Sequence, residues 1–210
     1  MPMWPTTRTF TDLKRVVQRA FGDESGTQLE MQDIIDFANE GVMAINEENG
    51  ILKSRSTAAS VEGQREYTFP DANISRVESI LYASRYLPNM PFQDAQERLG
   101  EDDQSGTPQC WFSFGPTFWL WPTPTDGGQI EIFFVRNPDK ITGDPEELLP
   151  VPDRWFNALR DYILQRAYEM DQDWQAAQVK GEQFQGALNS FSEEESRSQD
   201  NEFPVIRDVM

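Results

Sequence analysis

Between Gln109 and Arg136 the chain sets eight aromatic side chains in three short runs, QCWFSF, TFWLWP and QIEIFFVR, divided by Gly115-Pro116 and by PTPTDGG. Aromatic and β-branched runs bounded by Gly, Pro and Asp-Gly predict strands, with Gly115-Pro116 and Asp126-Gly127 as hairpin signals. Three antiparallel strands are the natural reading. Apolar residues stand at both parities: Cys110, Phe112 and Phe114 beside Trp111, Phe118 and Leu120 beside Trp119 and Trp121, Ile132 and Phe134 beside Phe133. A sheet with one wet face alternates cleanly, so both faces are expected to be covered, by a second sheet, by helices or by a neighbouring subunit.

On either side of this block the period lengthens to that of a helix. TFTDLKRVVQRAF puts Leu13, Val16, Val17 and Ala20 on one face, with Thr9 or Thr11 as N-cap. In LEMQDIIDFANEGVMAINEENG the stripe is Met31, Ile34, Ile35, Ala38, Val42 and Ile45, and Gly50 ends it. A proline-rich loop, NPDKITGDPEELLPVPDR, leads at Pro152 or Asp153 into a third helix with Trp155, Leu159, Tyr162, Ile163 and Tyr168 or Met170 inward. The last helix carries Trp174, Ala177, Gly181, Phe184, Leu188 and Phe191 at spacings of 3, 4, 3, 4 and 3. Between helices and aromatic block lie the polar stretch KSRSTAASVEGQ, strand-like REYTFP and ISRVESILYASRYLP, and FQDAQERLG, which reads as one or two helical turns.

The expected fold class is α+β: a helical bundle of two N-terminal and two C-terminal helices, an inserted antiparallel β-rich module and an extended C-terminal arm. Expected boundaries are 1–52 for the N-terminal helices, 60–137 for the β module, 150–192 for the C-terminal helices and 193–210 for an extended or disordered arm. The arm begins in the polar run SEEESRSQDNE and ends in FPVIRDVM, a hydrophobic terminus suited to docking.

Composition removes whole classes of chemistry. Without His there is no Ser-His or Cys-His dyad and no His-bearing metal site; with Cys110 the single cysteine, no intrachain disulfide and no Cys-only zinc site forms. There is no GxxxxGK[ST] and no GxGxxG, so no nucleotide cradle. Lys and Arg number 18 against 36 Asp and Glu, a formal net charge of −18, which opposes tight binding to a nucleic-acid backbone. Neither a signal peptide nor a membrane-spanning apolar run is expected.

Two constellations could carry chemistry. Asp144, Glu146 and Glu147, or Glu101, Asp102 and Asp103, are carboxylate clusters of the type that serves glycosidases or Mg²⁺, but they lie in solvated, loop-like sequence with no nearby strand end to fix their geometry. Trp111, Trp119 and Trp121 suit a sugar-stacking platform, a sheet core or a subunit interface. Cys110 has no base beside it and reads as an inert thiol. No catalytic, metal-binding or cofactor-binding residue is assigned.

Taken together, LEMQDIIDFANEGVMAINEENG, GTPQCWFSFGPTFWLWPTP, GGQIEIFFVRNP and above all LLPVPDRWFNALRDYILQRAYEMDQDWQAAQVKGEQFQGAL resemble the head-to-tail adaptor (head-completion or connector) proteins of tailed bacteriophages, including the podovirus tail-tubular or gatekeeper-ring group. The resemblance implies a non-enzymatic virion component, assembled in the host cytoplasm, forming a homo-oligomeric ring of twelve copies in the neck between portal and tail or nozzle protein. It implies double-stranded DNA passing through the ring during genome ejection without sequence-specific binding, and no cofactor. It also implies a portal-docking arm, here Phe203, Pro204, Val205, Ile206, Val209 and Met210. Trp111, Trp119, Trp121 and Phe133 are the candidates for subunit or tail contact. The alternative is a carbohydrate-binding or glycan-degrading virion module using Trp111, Trp119 and Trp121; a DNA-mimicking inhibitor, suggested by charge alone, needs less apolar sequence than this chain carries.

Overall fold

The structure, a computed structural model, describes residues 6–70, 73–100 and 104–202. In chain order its elements are α1 (Phe10–Phe21), α2 (Met31–Asn49), β1 (Lys53–Ala59), β2 (Glu66–Thr68), β3 (Ile74–Tyr82), β4 (Arg85–Leu87), α3 (Phe92–Gly100), β5 (Ser105–Gly106), β6 (Cys110–Phe114), β7 (Thr117–Trp121), β8 (Thr123–Pro124), β9 (Gln129–Arg136), a 3-10 turn (Asp153–Trp155), α4 (Phe156–Met170) and α5 (Trp174–Glu202). Mixed helix and antiparallel sheet make the chain α+β, and it divides into two compact units: residues 1–51 with 138–210, and residues 52–137.

In the helical unit, α1 starts with a reciprocal cap, in which the Thr9 hydroxyl accepts from the Asp12 N–H and the Asp12 carboxylate accepts from the Thr9 N–H. α2 ends at Gly50, whose φ of 58° is the left-handed conformation that a side chain disfavours. A Cβ on Gly41 would stand 2.8 Å from Leu159 and from Tyr162, so the missing side chain lets α2 approach α4 closely. The core joins Phe10, Leu13, Ile34, Ile45, Trp155, Leu159, Ile163, Phe184 and Leu188, with most of each helix's apolar stripe turned into it; Ala20 of α1 and Met31, the first residue of α2, were expected inward and are exposed.

The proline-rich loop is pinned to this unit by its backbone. Asn39 donates to the Ile141 carbonyl at 3.1 Å and accepts the Ile141 N–H at 2.8 Å. Phe10 N–H reaches the Glu147 carbonyl and Leu149 N–H the Arg8 carbonyl, while the Asp153 carboxylate accepts from the Thr7 N–H, the Thr7 hydroxyl and the Arg8 N–H. Those donors hold the Asp153 carboxyl below its usual pKa.

Two more expectations for the helical segments differ from what is seen. Trp174 leaves the α5 stripe and is 66% exposed, because it is the first residue of α5 and sits before the helix closes on α4. Of the two residues left open near the end of α4, Tyr168 is the one packed inward, against Phe21 at 5.2 Å, and Met170 is exposed. The segment expected to be extended or disordered from 193 is helical to Glu202, in keeping with the lack of glycine or proline from 187 to 202.

In the β unit, four strands form the order β1-β9-β3-β4 and three form β2-β7-β6. The two sheets share one core, to which β2, β6 and β7 give Tyr67, Trp111, Phe118 and Leu120, and β3, β4 and β9 give Ile80, Tyr82, Leu87, Ile130, Ile132 and Phe134. The strand reading needs two corrections. First, β6 and β7 form the hairpin expected at Gly115-Pro116, but β9 does not pair with β7; it inserts between β1 and β3. Pro122 and Pro124 have no N–H to extend the ladder, and the chain there instead makes the short parallel pairing of β8 with β5 and crosses to the other sheet. Second, the polar stretch after α2 contains a seven-residue strand, β1, on the sheet edge.

Candidate functional site

Strand register sorts the aromatic residues between faces. Cys110 pairs with Trp121, Phe112 with Trp119 and Phe114 with Thr117, so these side chains share the face of the three-stranded sheet that points away from the core. Trp111, opposite Leu120, points the other way and is 4% exposed within the shared core. Phe133 lies in the other sheet, between Arg55 of β1 and Ser79 of β3. Its ring has the Arg55 guanidinium 5.7 Å away, and the same guanidinium pairs with Glu131 at 3.0 Å.

The four aromatic candidates therefore occupy three places, and only Trp119 and Trp121 lie together. Both are half-buried. The sugar-stacking reading required Trp111, Trp119 and Trp121 on one face; the pairing register puts Trp111 on the opposite one.

Around Trp119 the outer face forms a continuous aromatic stack. Arg65 stands 5.0 Å from the Trp119 ring, Trp119 is 5.7 Å from Phe112, and Phe92, the first residue of α3, covers Phe112 at 6.2 Å and Phe114 at 4.8 Å. Phe112 is fully buried beneath these neighbours, while Phe114 at the end of the strand is 63% exposed. The Trp119 indole N–H is buried, with no hydrogen-bond partner among the described residues. Sequence reasoning missed the roles of Phe92 and Phe114, although the even spacing of Phe112 and Phe114 signals their shared face.

The carboxylates of the proline-rich loop serve the backbone. Glu147 accepts from the Thr142 N–H, the Thr142 hydroxyl and the Gly143 N–H, and Asp144 accepts from the Glu146 N–H. Among the described residues no group of three or more His, Cys, Asp or Glu is placed to hold a metal, and no helix is long and apolar enough to cross a membrane. Cys110 is buried, its thiol 3.6 Å from the Trp121 carbonyl. A cleft of about 450 Å³ in the β unit is bordered by Thr68, Arg76, Trp111 and Ser113, and among the described residues no carboxylate or thiol lines it. Glu101, Asp102, Asp103 and the arm candidates Phe203, Pro204, Val205, Ile206, Val209 and Met210 lie outside the described residues.

What the described surface offers is thus apolar and aromatic contact area on well-packed elements, the equipment of a protein that binds other proteins. Among curated proteins there is no match. The family model of the SU10 adaptor protein matches residues 8–207, which takes in both units and nearly the whole chain. The chain belongs to the SU10 adaptor protein family, a phage head-to-tail adaptor family whose role is structural and not enzymatic.

Proposed function

We propose that this chain is a virion neck component that assembles as a ring of twelve copies, joins the portal to the tail or nozzle protein, and lets double-stranded DNA pass through its lumen. The observation that carries this reading is the family match over residues 8–207. The C-terminal segment holding Phe203, Pro204, Val205, Ile206, Val209 and Met210 is the arm that docks on the portal, and the face holding Trp119 and Trp121 is the contact with the tail or with a neighbouring copy. Phe133 marks a second such surface.

The net charge of −18 supports the passage of DNA. Duplex DNA carries one negative charge per ~1.7 Å, and a wall of carboxylates repels it at distances below the ~8 Å screening length of physiological salt. DNA then slides without adhering. No step of this work calls for a cofactor.

Mixing the purified chain with the portal of its phage and viewing the product by negative-stain microscopy tests the proposal: an added ring on one end of the portal is expected, and bare portals contradict it. Deleting residues 203–210 is expected to abolish docking with the melting temperature unchanged. Full-strength docking by the truncated chain assigns the portal contact to another segment.

A further inference from the structure

Cations are scarce in this chain and unevenly placed. Residues 8–20 hold four of them, Arg8, Lys14, Arg15 and Arg19, against the single carboxylate of Asp12, whereas residues 30–49 hold six carboxylates and no cation. These segments are α1 and α2 with their caps. α1 turns Arg15 and Arg19 to solvent, their side chains 64% and 74% exposed, on the rim of a hollow of about 460 Å³ that Val16 and Ala20 complete. α2 turns out Asp36, Glu40 and Met43, the two carboxylates on one side of a groove of about 580 Å³ whose other side carries the exposed Lys140 with Ile141 and Thr142.

Both helices pack on α4 and do so through different contacts. Glu40 of α2 meets Arg166 at 3.2 Å, whereas the Ala20 carbonyl of α1 accepts from the Tyr168 hydroxyl at 3.4 Å. One compact unit therefore carries a cationic helix surface and, separately, an anionic one. The present partners of the two arginines are local: Asp12 at 2.9 Å, half-buried and also capping α1, and the exposed Glu24 at 3.7 Å; such pairs near the surface are of little net worth and are exchanged cheaply.

We propose that α1 of one copy docks on α2 of a second copy, with Arg15 and Arg19 facing Asp36 and Glu40, and Met43 seated against Val16 and Ala20. The inference rests on the ring reading and names the contact that builds the ring. Three properties carry it. Each charged pair is spaced four residues apart on its helix, about 6 Å along the axis, so both pairs are met in one register. The contact joins two different surfaces, so it propagates from copy to copy and builds a ring when the rotation per copy closes, which a self-paired contact cannot do. Chains of net charge −18 repel one another, and an approach that brings the cationic helix onto the anionic one is the approach such repulsion leaves open.

Charge reversal tests it on the full-length chain by sedimentation velocity from micromolar to millimolar concentration, with thermal melts to verify folding. Arg15→Glu with Arg19→Glu, and separately Asp36→Arg with Glu40→Arg, are each expected to weaken self-association about a hundredfold or more, because like charges then face each other. Mixing the two variants restores association, since every contact in an alternating ring again pairs opposite charges, and the fourfold variant associates alone. The neutral variant Arg15→Gln with Arg19→Gln weakens association less than reversal does. Association unchanged by either reversal overturns the α1–α2 contact and leaves the ring reading standing. A chain monomeric at every concentration overturns the α1–α2 contact, and the ring reading then stands or falls on whether the chain adds a ring to the portal. Reversal on α1 that spares association but abolishes binding to the portal or to a short DNA duplex assigns that face to the other partner and overturns the contact between copies.

Discussion

Asp23 shows how much one side chain organises. Its carboxylate is buried and accepts hydrogen bonds from the N–H groups of Thr27, Gln28 and Leu29 and the hydroxyls of Ser25 and Thr27, closing the turn between α1 and α2. The Leu29 N–H does most to hold its pKa far below the ordinary 3.8, with Gln28, Thr27 and Ser25 adding to it against the opposing effect of burial. A carboxylate whose folded pKa is depressed stabilises the fold above its unfolded pKa and loses that contribution as pH falls through the folded one. Asp23→Asn is therefore expected to melt below wild type at neutral pH, with the gap narrowing from about pH 5 downward. Thermal melts at several pH values check this; a gap independent of pH contradicts it. Nothing in the sequence DESGTQL marks Asp23 among 36 carboxylates, because its role exists only once five donors converge on it.

Among elements, the aromatic hairpin separates packing from display along one strand. Phe112 and Phe114 stand two residues apart on the same face, yet Phe112 is fully enclosed and Phe114 mostly exposed. Phe112→Ala is expected to cost about 3–5 kcal/mol in urea unfolding and Phe114→Ala under about 1 kcal/mol. Equal costs would mean that α3 does not cover the strand as described. The hairpin itself was legible, since Gly115-Pro116 sets the turn and the turn sets which tryptophan faces the core. Helices α1, α2 and α4 were legible for a similar reason: their apolar spacing matches one face of a helix wherever that helix packs. β1 was not, because Lys53–Ala59 has no long apolar side chain; it is a strand because β9 offers it a free edge. The crossing from β7 to β9 was hidden in the same way, with two prolines deciding against the nearer partner. Trp174 fits the α5 stripe by spacing and escapes it by position, at the first residue of the helix.

For the whole molecule, membership of a structural adaptor family accounts for an otherwise odd inventory: no His, one buried thiol, loop carboxylates spent on the backbone, and aromatic surface left on show. Such a chain is equipped to hold partners together. The proposed contact residues are accordingly distributed over surfaces, and only part of their arrangement was visible in the sequence: the shared parity of Trp119 and Trp121 was, whereas the separation of Trp111 and Phe133 from them depends on pairing across the sheets. In the proposed ring, a self-repelling chain of net charge −18 closes through its cationic α1 and leaves carboxylates toward the DNA. The most direct measurement is cryo-electron microscopy of portals decorated with this chain, processed without imposed symmetry. Twelve copies in a closed ring around an open channel wide enough for duplex DNA are predicted; isolated copies on the portal, or a ring whose centre is filled by protein, would contradict the account.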